Sequence, residues 1–122
     1  MGTVDDIPIN IEKLMKSKKD DAFLIIKVQG TGDFIQFTGD IDGIQLDFPL
    51  ITSKQKKRET DFWGAARDLN LDVFENKGSD GSRFLDIDIN GSTSAVSDIV
   101  TLFIARFLSV TKDTALEFEI YT

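Results

Sequence analysis

The chain has 122 residues, a hydrophobic fraction of 41% with ten Phe, and a formal charge of −7. That length and composition suit one domain spanning 1–122 that buries its own core. Cysteine and histidine are both absent, so disulfides, thiolate chemistry, zinc sites and His-based catalytic triads cannot be built from this chain.

The negative balance argues against a nucleic-acid partner, which requires clustered Lys and Arg. No apolar run approaches the ~20 residues needed to cross a bilayer. The start, MGTVDDIPIN, lacks the basic and apolar regions of a secretory leader, so the expectation is a cytoplasmic protein with no membrane contact.

Residues 1–9 read as a lead-in free to flex, and Asn10 as the cap of a short first helix carrying Ile11, Leu14 and Met15. FLIIKVQG, nearly continuous in apolar residues from Phe23 to Val28, predicts a strand covered on both faces or central in its sheet. Two strands follow, Phe34 to Thr38 and Ile44 to Phe48, around turn residues Gly39, Asp40, Asp42 and Gly43. Ile44, Leu46 and Phe48 alternate with Gln45 and Asp47, which predicts one buried face and one wet face, and Pro49 is expected to close the strand.

Thr52 and Gln55 form a capping-box pattern that places a helix over roughly 54–69, with Phe62, Ala65, Ala66 and Leu69 at helical spacing. Its first turns carry Lys54, Lys56, Lys57 and Arg58, against the helix-dipole preference. This basic patch is a candidate partner for acids elsewhere, or a protein-binding patch for an acidic surface on another chain. Trp63, beside Phe62, is a candidate rim or dimer contact if Phe62 takes the core.

LNLDVFEN and SRFLDIDIN predict a hairpin about NKGSDG. A long helix with Val96, Ile99, Val100, Phe103, Ile104, Phe107 and Leu108 on its apolar stripe comes next, and ALEFEIYT ends the chain as a strand. The order α-β-β-β-α-β-β-α-β predicts an α+β fold: an antiparallel or mixed sheet of about six strands with helices packed on one face.

The other face then presents Asp47, Asp86, Asp88, Glu117 and Glu119. These acids are the candidate protein-binding surface, suited to a basic protein or peptide. Asp86, Asp88, Asn90 and Gly91 also spell the first half of an EF-hand loop, but its twelfth position falls on Ser97, and Ile87 and Ile89 fit a strand instead. Asp40 and Asp42 are a weaker cation candidate. Neither motif supports a metal assignment. With no phosphate loop and no carboxyl in an evident pocket, no catalytic residue and no cofactor is assigned, and an enzyme is not expected.

The succession of helix, three-strand meander, helix, hairpin and helix from Asn10 to about Leu108, with its acidic charge, resembles the small acidic chaperones of type III secretion and the YbjN-like domains. The likeness lies in topology and charge, and the last strand is an addition to it. It implies a non-enzymatic homodimer that holds a partner polypeptide, chaperone- or adaptor-like. The alternative is an acidic inhibitor or immunity protein that blocks a basic active site; a weak calcium-binding domain is the third reading.

Overall fold

The computed structural model describes residues 2–40 and 42–122, apart from the side chain of Asp40. A 3-10 turn at Val4–Asp6 leads into α1 (Ile7–Lys16), then β1 (Phe23–Val28), β2 (Phe34–Asp40) and β3 (Gly43–Leu50). Two short helices follow, α2 (Ser53–Lys57) and α3 (Glu59–Asp68), then β4 (Phe74–Lys77), β5 (Arg83–Asn90), α4 (Thr93–Leu108) and β6 (Leu116–Tyr121). The six strands form one sheet in the order β4-β5-β3-β2-β1-β6, and every neighbouring pair is antiparallel. The helices pack on one face of it. This is the expected α+β class, with the antiparallel alternative realised.

Several boundaries differ from the sequence expectation, each for a local reason. α1 begins at Ile7, with Pro8 in its first turn, where a missing N–H costs nothing. Asn10 therefore lies inside the helix, buried, and its Nδ2 donates to the Asp6 carbonyl at 2.8 Å. The start of the chain is tied down by Gly2, which exchanges two backbone hydrogen bonds with Leu116 (2.9 and 2.7 Å).

The single helix expected over 54–69 is two, meeting at Arg58. The Thr52–Gln55 capping box is formed, with Thr52 Oγ1 accepting from Gln55 N at 3.1 Å. Pro49 does not end β3, which runs on to Leu50 in register with Arg83. The β2–β3 ladder stops at Gln36 and Asp47, so at Pro49 only β5 still pairs with the strand.

One core cluster fills the space between helices and sheet. At its centre Phe48 stacks on Phe62 (ring centroids 5.5 Å) and meets Phe107 edge-on (4.9 Å), while Phe62 meets Phe103 edge-on (5.1 Å). Edge-to-face rings add about 0.5–1.5 kcal/mol per pair to their burial. The sheet contributes Leu24, Ile26, Phe37, Leu46, Leu85 and Ile87 to this layer, and α4 contributes Val100, Phe103, Ile104 and Phe107. Ser92 caps α4, its hydroxyl accepting from Ala95 N at 3.2 Å. Among the described residues, no helix is long and apolar enough to cross a membrane.

Candidate functional site: the open face of the sheet

Among the described residues, no helix covers the second face of the sheet. Its composition follows from strand alternation: residues next to each buried core position point the other way. β1 is the informative case. Leu24, Ile26 and Val28 are buried and Phe23, Ile25 and Lys27 are only half-buried, so the strand has one covered face and lies next to the β6 edge. Of the two expectations for this strand, cover on both faces is corrected, whereas an interior place stands, since β1 pairs with β2 on one side and β6 on the other. The apolar residue at every position except Lys27 hid its two-residue period.

The open face is therefore neither wet nor purely acidic. Phe23, Ile25, Phe34 and Phe84 stand on it half-buried, and Phe23 stacks on Tyr121 with centroids 5.9 Å apart. A shallow depression of about 600 Å³ lies beside the β1–β2 turn, lined in part by Ile25, Lys27, Phe34, Gln36 and Glu117.

The five candidate acids all project from this face, in two groups. Asp47 of β3 and Asp86 of β5 are direct cross-strand partners, and Asp88 lies opposite Gln45, whose Nε2 donates to Asp88 Oδ1 at 3.0 Å. Glu117 and Glu119 sit on β6, separated from β3 by β2 and β1. Glu119 is bridged by Lys27 at 3.1 Å.

Asp86 departs most from the sequence picture of a solvated acid. It is 6% exposed, and its Oδ2 accepts from Asn76 Nδ2 on the neighbouring β4. Asp47 Oδ1 and Asp86 Oδ1 are both buried and without a hydrogen-bond partner among the described residues. No Lys or Arg among those residues pairs with Asp47, Asp86 or Asp88.

Two carboxylates in contact and partly desolvated cannot both ionise without a cost. Burial first, then the Asp86 charge and its hydrogen bond, pushes the Asp47 carboxyl up to about 6. When Asp47 carries its proton, its hydroxyl can donate to the Asp86 carboxylate.

The half EF-hand motif is part of β5. Asp86 and Asp88 occupy alternate positions of a strand, Ile87 and Ile89 fill the core, and Gly91 begins the turn into α4. No group of three or more Asp, Glu, His or Cys suited to a metal ion occurs among the described residues. The Asp40 side chain, half of the second cation candidate, lies outside the described residues.

The basic patch lies elsewhere. Arg58 Nη2 reaches Asp33 Oδ2 at 2.8 Å and Lys54 Nζ lies 3.6 Å from Asp33 Oδ1; Lys54 also donates to the Thr31 carbonyl. Asp33, in the approach to β2 and 9% exposed, is thus the acid that these cations serve, and this offsets their poor placement at a helix start. Lys56 and Lys57 remain exposed. Trp63 is 43% exposed while its neighbour Phe62 is fully buried; its Nε1 donates to Glu59 Oε2 at 3.3 Å, and it lines a depression with Leu71, Val73 and Phe74.

Sequence reasoning missed Asn76, Asp33 and the aromatic members of the open face. The odd-numbered positions of FLIIKV were the available signal for Phe23. No protein-family model matches the chain, and the comparisons with curated proteins and with solved structures find no match.

Proposed function

We propose that this chain is a non-enzymatic polypeptide-binding domain, chaperone- or adaptor-like and cytoplasmic, whose open sheet face receives a basic partner. The observation that carries the reading is the uncovered face itself: half-buried Phe23, Ile25, Phe34 and Phe84 share it with Asp47, Asp86, Asp88 and Glu117, which have no ion pair among the described residues. Apolar surface supplies affinity and the unpaired acids supply selection for Lys or Arg. The overall charge of −7 steers such a partner inward.

The test is fluorescence anisotropy with a labelled arginine octapeptide, against a glutamate octapeptide, at rising ionic strength. Binding of the basic probe should weaken about tenfold as salt rises from about 0.05 to about 0.5 M, because the Debye length shrinks over that range. Affinity indifferent to salt sinks the proposal.

Homodimerisation belongs to the chaperone-like version of this reading. The clustering of Asp47, Asp86 and Asp88 on the β3–β5 half favours a second reading, an acidic inhibitor or immunity protein that presents that half to a basic active site. Light scattering separates the two: a monomer at high concentration removes the chaperone likeness and leaves the inhibitor.

A further inference from the structure

The sheet ends in two edges of different character. β4 is four residues long and exposed throughout, whereas β6 runs for six residues, Leu116–Tyr121. Gly2 exchanges both of its backbone hydrogen bonds with Leu116, so the Leu116 N–H and C=O point away from β1. Direction alternates along an antiparallel strand, so the N–H and C=O groups of Phe118 and Ile120 point outward too. Among the described residues these four groups have no hydrogen-bond partner. Among the described residues, Gly2 covers the edge at Leu116 and none pairs with it beyond.

Its side chains describe what would fit. Glu117 and Glu119 project from the open face, and both are exposed. Phe118 and Ile120 project to the helix side and pack against the core, where they stay half-buried at the margin, with Gly2 close to the Phe118 ring. Ile9 of α1, 54% exposed, shares a depression with Thr122 at the end of this edge. An added strand would meet two acids on one side and an apolar ledge on the other.

A second copy of β6 fits poorly. Centred on Phe118, antiparallel self-pairing places Glu117 of each copy opposite Glu119 of the other, and like charges directly opposite are destabilising. Shifted by two residues, it places Glu119 against Glu119. Charge on an edge strand commonly guards against such self-association.

We propose that the outer edge of β6 is a docking site for an extended segment of a partner polypeptide, added as a further antiparallel strand, with Lys or Arg facing Glu117 and Glu119 and apolar residues between them against Phe118 and Ile120. The proposal rests on the reading of the chain as a polypeptide-binding domain and gives one mode by which a partner is held. Backbone bonds provide affinity and the alternating pattern provides specificity. The partner's cations compete with Lys27 for Glu119 and find Glu117 without an ion pair among the described residues.

The experiment uses the isotopically labelled chain and an acetylated Lys-Val-Lys-Val-Lys peptide, with amide hydrogen exchange and chemical shifts read residue by residue. The expected result is protection of the Phe118 and Ile120 amides by tenfold or more, with no such effect from the matching Glu-Val-Glu-Val-Glu peptide. N-methylation of the Lys peptide at alternate residues should weaken binding at least tenfold. The doubly substituted Glu117→Lys/Glu119→Lys chain should exchange its preference for that of the acidic peptide. Equal binding of the N-methylated peptide, or shifts confined to β3 and β5, overturns the edge proposal while leaving the open-face reading intact. Concentration-dependent protection of the same amides without peptide also overturns it, in favour of self-pairing. No binding of the Lys peptide at millimolar concentration, on either surface, refutes both.

Discussion

Replacing Asp47 with Asn should make the protein less sensitive to rising pH. Folded Asp47 holds its proton more tightly than unfolded Asp47, since burial and Asp86 push its carboxyl from an ordinary 3.8 up to about 6. Its contribution to stability is therefore complete below about pH 4 and is lost as pH rises through about 6. A shift of about two pH units corresponds to about 3 kcal/mol as an upper bound. The sequence pI of about 4.5 makes the acid end of that window poorly soluble, so the usable range starts near pH 5.

About one unit of the shift lies above that point, worth about 1 kcal/mol once the residual solvent contact of Asp47 is allowed for. Asn at this position keeps the shape of the protonated acid and can donate to Asp86. Urea unfolding of both proteins from about pH 5 to about pH 8 should therefore show the variant gaining on the parent by about 1 kcal/mol, or ~0.5 M in midpoint. Asp86→Asn should shift the balance in the same direction, because it removes the Asp86 charge that helps to raise the Asp47 carboxyl. A gap between variant and parent that stays constant across the range would refute the raised carboxyl of Asp47.

Phe62→Ala removes the ring that meets Phe48, Phe103 and Phe107 and should cost about 3–5 kcal/mol in urea unfolding. Arg58→Ala leaves the nearly buried Asp33 with Lys54 as its remaining cation and should cost about 1–3 kcal/mol, measured the same way. Thr52→Ala breaks the capping box of α2 and should cost about 1 kcal/mol, read as a lowered thermal midpoint. Asp88→Asn, on an exposed acid bonded only to Gln45, should leave stability within about 0.5 kcal/mol by the same scan while weakening the arginine probe.

Local pattern carried most of the architecture. The alternation of Ile44, Leu46 and Phe48 with Gln45 and Asp47, the Thr52–Gln55 box, the turn at NKGSDG and the apolar stripe from Val96 to Leu108 each report a local preference that the fold obeys. Helix ends were harder to read. Asn10 looked like a cap because such residues favour that role, but Pro8 and the preceding 3-10 turn set the start earlier. The second helix splits at Arg58, whose side chain also makes a long-range contact with Asp33.

From the sequence alone came the α+β class, the helices on a single side, and the placing of Asp47, Asp86, Asp88, Glu117 and Glu119 on the opposite face, because alternation is a property of each strand by itself. Strand order was decided only by tertiary pairing. It set β3 against β5, so that two acids thought to share a solvated surface became a half-buried pair with one donor, Asn76, from a third strand. It also carried β6 to the outer edge beside β1, which divided the acids and left the edge groups of Phe118 and Ile120 unpaired among the described residues. Which residues share a face follows from a period of two, whereas burial and pairing depend on which strands become neighbours.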